Sequence, residues 1–196
     1  MKKFLLITLV TALYLFAMLH FAAIYFADIN NTSAQSLLSQ GDYQSALVQA
    51  TQAIEKNPQE PLYYRGRAKV WIAQLSTADE TQRQIIKRLA LKDLQDAYNL
   101  NPKNLATIRN EVVLYFFLAN GDLNIPTGLS NLDSAYLKIA QDFYRKVQNI
   151  SPNDVGIYVL LARYEKRLGL TEDYNKNVEV VKRLRPDLLE WNDAFK

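Results

Sequence analysis

Residues 41–58, GDYQSALVQATQAIEKNP, decide the fold class of this chain. The segment begins with a glycine suited to a tight turn, continues with Asp42 as a helix N-cap, and ends at a proline that stops the helix. Small residues recur along one helix face at Ala46, Ala50 and Ala53, so a second helix can approach closely. Because one amphipathic helix cannot bury its apolar face alone, the pattern predicts neighbouring helices.

The same spacing recurs before four prolines, which are Pro58, Pro102, Pro152 and Pro186. Alanine or valine stands five residues before each of them, and alanine stands twelve residues before the first three. Successive prolines are 44, 50 and 34 residues apart, so the two central copies carry extra residues. The recurrence predicts a unit of two helices that is present in four copies.

This two-helix unit resembles the tetratricopeptide repeat family, whose unit is a helix–turn–helix of about 34 residues with small residues at the helix contacts and a closing proline. The resemblance implies an all-α fold in which four helix pairs form a right-handed α-solenoid over residues 28–196. The predicted repeats are 27–60, 61–104, 105–154 and 155–188, with a capping helix at 189–196. In the first and the last repeat, a glycine precedes the closing proline by 17 positions.

The extra residues of the central repeats fall between their two helices. In repeat two, Thr77–Glu80 reads as a capping box and predicts a helix that begins near Ala78. In repeat three the excess is a loop over residues 119–131, after which Ser130 and Asp133 restart the helix. Such turns project from one edge of a solenoid, so both insertions are expected at the same edge. That edge is either a contact surface or a tolerated pair of surface loops.

The last ten residues, DLLEWNDAFK, predict a short final helix. Terminal repeats of a solenoid need a cap because they lack a neighbour on one side. Leu188, Leu189, Trp191 and Phe195 are predicted to cover the open face of repeat four. The alternative is that this segment binds a partner.

Residues 4–26 carry no charged side chain and predict a membrane anchor within residues 1–27. As a helix they span about 35 Å, enough to cross a hydrocarbon core of about 30 Å. Lys2 and Lys3 precede the segment, so the positive-inside rule predicts that the N-terminus lies in the cytoplasm and that the repeat domain lies outside it. The membrane is expected to be a bacterial cell membrane. The alternatives are a cleaved signal peptide, which would release a secreted binding module, and a repeat domain that faces the cytoplasm.

Composition and motifs argue against several functional classes. The chain has 23 basic side chains, of which 21 remain when Lys2 and Lys3 are set aside, and 20 acidic side chains. This near balance of charge is untypical of a nucleic-acid binder. Cysteine is absent, and His20, the single histidine, lies in the apolar segment. Neither a glycine-rich phosphate loop nor a nucleophile–histidine pair is present. The sequence therefore predicts no enzyme, no cofactor, no metal site and no small-molecule substrate.

The resemblance implies a concave groove lined by the first helix of each repeat. Repeat one would contribute Asn31, Gln35 and Leu38, and Ile72 and Val113 would add apolar surface. The candidate partner-binding residues are Arg65, Lys69, Arg109, Asn110, Phe116, Phe117, Arg163, Lys166 and Arg167. This basic and partly aromatic surface suits an acidic protein or peptide. The alternative is that the cations are solvated and that the two phenylalanines belong to the core.

Together these observations predict a membrane-anchored scaffold or assembly factor that recruits another protein. The family's carboxylate clamp for acidic C-terminal peptides of chaperones needs a pairing of lysine and asparagine that this sequence does not reproduce. An accessory subunit of a membrane enzyme complex is the other function that the sequence allows.

Overall fold

A computed structural model describes residues 2–195 of the chain, and every regular element among them is helical. The helices are α1 (Lys2–Ser39), α2 (Tyr43–Lys56), α3 (Pro61–Gln74), α4 (Glu80–Leu100), α5 (Leu105–Ala119), α6 (Ser134–Ile150), α7 (Val155–Arg167), α8 (Thr171–Leu184) and α9 (Asp187–Trp191). Two short 3₁₀ turns lie at Leu129–Asn131 and Asp193–Phe195. The predicted all-α class is confirmed.

Each odd-numbered helix from α1 to α7 packs most extensively on the helix that follows it. The odd-numbered helices also contact one another in the order α1, α3, α5 and α7, so they form one continuous layer. This layer corresponds to the face on which the groove is predicted. The exact repeat boundaries stay predictions.

The apolar segment and the first helix of repeat one are a single uninterrupted helix, α1. Its large apolar side chains up to Phe26 are exposed except for the half-buried Ile24, and the most apolar 18 residues have a mean hydropathy of 2.2. Burial begins at Ala27, and Asp28 accepts a hydrogen bond of 2.5 Å from the hydroxyl of Tyr63 in α3. The helix is long and apolar enough to cross a membrane, and its packed part begins directly after the apolar part.

The alanine stripe of α2 packs as the sequence predicts. Ala46, Ala50 and Ala53 are fully buried. Gly41 has a φ of 81°, a left-handed conformation that favours glycine, and the carboxylate of Asp42 accepts a hydrogen bond of 3.1 Å from the backbone N–H of Ser45. The turn and the N-cap thus set the start of α2, and the small side chains allow close packing.

The predicted start of α4 is wrong by two residues. The N-cap is Asp79, whose carboxylate accepts from the N–H of Gln82, while the Gln82 side chain accepts from the N–H of Asp79. The hydroxyl of Thr77 instead donates to the carbonyl of Gln74 at the end of α3. Thr77 therefore terminates one helix and does not begin the next.

In repeat three, Asp133 caps α6 as predicted, but Ser130 does not begin that helix and lies in the 3₁₀ turn. The repeat-three loop (residues 120–133) is ordered by Asn131. Its side-chain amide donates to the carbonyls of Asp122 and Ile125 at 2.8 and 3.1 Å and accepts from the N–H of Asp122 at 2.8 Å.

Lys87 of α4 holds both ends of the repeat-three loop. Its ammonium is buried and donates to the carbonyl of Asn120 at 2.6 Å and to the carboxylate of Asp133 at 3.0 Å. The loop also reaches the turn of repeat two, because Asn124 donates to the carbonyl of Ser76 at 2.8 Å. The two insertions therefore contact each other, as expected for one edge of the solenoid.

The C-terminal cap is smaller than the sequence predicts. Leu188, Leu189 and Phe195 pack against a cluster that contains Tyr158 of α7. Trp191 is predicted to join them, but 79% of its surface is exposed. Trp191 is the last residue of the five-residue helix α9, three positions after the packed Leu188.

We expect Lys87→Met to lower the free energy of unfolding by about 3 kcal/mol, because it leaves Asp133 and the Asn120 carbonyl without their buried donor. The matched control is Lys92→Met on the same helix, where an exposed ammonium pairs with Asp96 four residues away. The control should change stability by less than about 0.5 kcal/mol. Urea denaturation of the detergent-solubilised chain measures both, and equal effects would contradict the proposed role of Lys87.

Candidate functional site

A groove of about 380 Å³ opens between α1, α3 and α5 on the layer of odd-numbered helices. Its polar lining consists of Asn31 and Gln35 from α1, Arg65 and Lys69 from α3, and Asn110 from α5. We call it the basic groove. Three of the nine predicted partner-binding residues line it, together with two of the residues predicted from repeat one.

Gly66 shapes the floor of the basic groove. A Cβ atom at this position would lie 2.9 Å from Asn31 Oδ1 and 3.1 Å from Gln35 Nε2. Glycine therefore lets the side chains of Asn31 and Gln35 come within contact distance of the α3 backbone. Both atoms are buried and have no hydrogen-bond partner among the described residues. Two amide side chains, one turn apart on α1, therefore form part of the groove lining beside Gly66.

Glu111 of α5 adds a buried carboxyl group near Arg65. The side chain is fully buried, and both carboxyl oxygens lack a hydrogen-bond partner among residues 2–195. Burial raises its pKa to about 8, and the attraction of Arg65 only partly opposes this. Burial also lowers the pKa of Arg65. Since Glu111 is largely protonated at neutral pH, Arg65 and Lys69 leave the groove positively charged.

Arg109 is placed outside the basic groove by an ion pair. Its Nη2 atom lies 2.9 and 3.0 Å from the two carboxylate oxygens of Asp154, the N-cap of α7. A Cβ on Gly156 would lie only 2.5 Å from the same nitrogen. Arg109 thus links repeat three to repeat four, and its side chain stays partly exposed.

The remaining predicted residues gather near α7. Phe116 is only 1% exposed and packs in the core, whereas Phe117 is half-buried. The guanidinium of Arg167 lies 4.2 Å from the centre of the Phe116 ring. Arg163 is exposed, and Lys166 Nζ lies 6.0 Å from the ring of Tyr174. The structure therefore divides the predicted surface into the basic groove and a separate region around Phe117 and Arg167.

Sequence reasoning missed Gly66, Glu111 and Asn120. Glu111 gives a weak signal, since it is a lone acidic residue within the largely apolar helix α5. Gly66 occupies the middle of α3, where glycine is unfavourable unless close packing requires it. Among residues 2–195, no group of three or more histidine, cysteine, aspartate or glutamate side chains is placed to hold a metal ion.

We expect Glu111→Gln to flatten the pH dependence of stability. The pKa of Glu111 rises from 4.5 in the unfolded chain to about 8 in the folded chain. The contribution of this carboxyl group to the free energy of unfolding is therefore complete below pH 4.5 and is lost as the pH rises to 8. At pH 8 the variant should be more stable than the wild type by at least about 2 kcal/mol.

Thermal unfolding between pH 5 and 8.5 measures this difference. Glu165, whose pKa burial raises to about 7, titrates in the same range, so only the difference between wild type and variant reports on Glu111. The exposed control Glu55→Gln should keep the wild-type curve. A Glu111→Gln curve parallel to that of the wild type would contradict the assignment.

Comparison with known proteins shows similarity at the level of structure only. No protein-family model matches the sequence, and no curated protein matches it. A solved thermophilic TPR protein of Thermus thermophilus, TTC0263, aligns with a TM-score of 0.51 and 17% identity over 86% of this chain and 79% of that one. The MamA protein aligns with a TM-score of 0.35 and 14% identity over 85% of this chain and 96% of its own. The described residues therefore adopt the tetratricopeptide-repeat fold, an all-α solenoid with an apolar N-terminal helix.

Proposed function

We propose that this chain is a membrane-anchored protein-interaction scaffold that holds an acidic segment of another protein in the basic groove. The observation that carries the proposal is the lining of the groove, where the amide side chains of Asn31 and Gln35 lie beside Arg65 and the exposed Lys69. Amide and cationic side chains that share one groove suit a polar, acidic segment.

An extended peptide offers the complementary chemistry. Each of its amide units carries one N–H donor and one C=O acceptor, and the side-chain amides of Asn31 and Gln35 can both accept and donate hydrogen bonds. Lys69 is exposed and makes no hydrogen bond or ion pair with the described residues, and Arg65 lies one turn before it. Carboxylates are the groups that such cations bind best. The partner is therefore an acidic protein segment bound through its main chain.

The apolar part of α1 supports anchoring in a membrane. Except for the half-buried Ile24, its large apolar side chains from Phe4 to Phe26 are exposed and would be covered by lipid. Lys2 and Lys3 favour a cytoplasmic N-terminus and an extracytoplasmic repeat domain. This single-pass topology makes the chain an assembly factor that collects a partner at the membrane. A secreted module after cleavage, and an accessory subunit of a membrane enzyme, are the competing functions.

We expect a cysteine introduced as Ser39→Cys to react with a membrane-impermeant maleimide in intact cells. The native chain has no cysteine, so labelling is specific. The matched control is Lys3→Cys at the other end of the apolar segment, which should react only after the cells are opened. Reversed labelling would place the repeats in the cytoplasm, and a mature mass short by the apolar segment would show cleavage.

We expect Gly66→Ala to abolish capture of the protein that co-purifies with the detergent-extracted wild type. The added methyl group would displace the side chains of Asn31 and Gln35, and Lys69→Glu should weaken the same complex at least about tenfold by charge repulsion. Mass spectrometry identifies the partner, and binding assays with the purified partner measure each affinity.

Two matched controls should bind like the wild type. Gly128→Ala adds the same methyl group where no atom lies within 4 Å, and Lys182→Glu reverses an exposed charge on α8, outside the groove. Circular dichroism checks that every variant keeps its helix content. Unchanged affinity in Gly66→Ala and Lys69→Glu would rule out the groove.

A further inference from the structure

A second pocket of about 250 Å³ lies between the repeat-three loop and the helices α5 and α7. Phe117, Leu123, Ile125 and Pro126 give it apolar walls, and Arg167 stands at its side. We call it the loop pocket. The standard two-helix unit has no counterpart to this pocket, since the inserted residues form one of its walls.

The loop pocket contains an unpartnered acceptor. Asn120 lines it and is 98% buried, and its Nδ2 atom donates to the carbonyl of Phe116 at 2.8 Å. Its Oδ1 atom is buried and has no hydrogen-bond partner among the described residues. Asn124, Thr127 and Arg167 also line the pocket, so a matching occupant combines apolar surface with a hydrogen-bond donor. The indole of tryptophan combines a large apolar surface with one N–H donor and no acceptor.

The charges beside the loop pocket favour an acidic neighbour of that aromatic side chain. Arg167 lies 4.2 Å from the centre of the Phe116 ring. A second aromatic ring beside this guanidinium would gain a cation–π interaction of its own. Arg163 is exposed one turn earlier on α7 and makes no hydrogen bond or ion pair with the described residues. The matching ligand is a tryptophan next to a carboxylate.

The chain itself displays this combination. Trp191 is 79% exposed at the end of α9, and the exposed Glu190 precedes it. The C-terminal residues pack near Tyr158. Tyr158 stands nine residues before Arg167, so the two residues are about 13 Å apart along α7. Trp191 therefore lies at the opposite end of α7 from the loop pocket of its own chain.

We propose that Trp191 of one copy inserts into the loop pocket of a second copy, with Glu190 paired to Arg163 or Arg167. The two contacting surfaces are different, so the contact is heterologous and each bound copy still offers one free surface for a further copy. The basic groove takes no part in this contact. The proposal thus goes beyond capture of a partner and adds lateral association of the scaffold.

The test uses the full chain in detergent micelles. Trp71→Phe leaves Trp191 as the sole tryptophan, because the chain contains two. Raising the protein concentration should shift its emission to shorter wavelength and reduce quenching by acrylamide, while light scattering reports larger particles. Trp191→Ala and Ile125→Asp should each weaken association at least about 30-fold, the size of an interface hot spot. The control Val48→Asp, at an exposed position on α2, should associate like the wild type.

Mixing the two defective variants gives the decisive measurement. Trp191→Ala keeps an intact loop pocket and Ile125→Asp keeps an intact Trp191, so the mixture should form heterodimers that do not grow further. The proposal would be overturned if the wild type stayed monomeric. It would also be overturned if both variants still associated, because residues 4–26 would then drive the association. A monomer that instead binds a synthetic acidic tryptophan peptide would assign the pocket to a foreign partner and also overturn it.

Discussion

One helix, α1, carries both the apolar segment and the surface on which the repeats are stacked, and this continuity constrains the rest of the structure. Asn31 and Gln35 follow Phe26 by five and nine residues, so the basic groove opens within about 14 Å of the apolar segment. No flexible linker separates the two parts. Whatever surrounds the apolar part therefore also fixes the position and direction of the groove.

The buried ammonium of Lys87 organises the edge that carries the two insertions. Lys87 is removed from water, and burial lowers its pKa, while Asp133 and the Asn120 carbonyl compensate this cost through direct hydrogen bonds. Because both ends of the repeat-three loop are tied to one ammonium group, the insertion is an ordered structure. An ordered insertion can form a pocket wall, and this explains how a departure from the repeat pattern adds a binding surface.

The sequence predicts local features well and long-range pairing poorly. The alanine stripe, Gly41 and the aspartate caps act within one or two turns, so their spacing is sufficient evidence for the helices. Thr77 and Asp79 both fit an N-cap, and only the carbonyl that Thr77 contacts decides between them. The ion pair between Arg109 and Asp154 could not be predicted from the sequence, because the two residues are 45 positions apart, beyond any local pattern. The exposure of Trp191 likewise depends on how far α9 reaches across repeat four.

The charge available for binding is smaller than the number of cations suggests. Arg67 is bound to Asp93 through two hydrogen bonds, Arg109 is bound to Asp154, and Lys87 is buried, so these three stabilise the fold. Arg65 differs from these three cations, because the buried Glu111 beside it is protonated and does not neutralise the guanidinium. A carboxylate that enters the groove at neutral pH therefore competes with Glu60 for Arg65 but not with an ionised Glu111. At alkaline pH, Glu111 ionises and competes for Arg65. The burial that destabilises the fold when Glu111 is ionised therefore also favours binding of acidic segments at neutral pH.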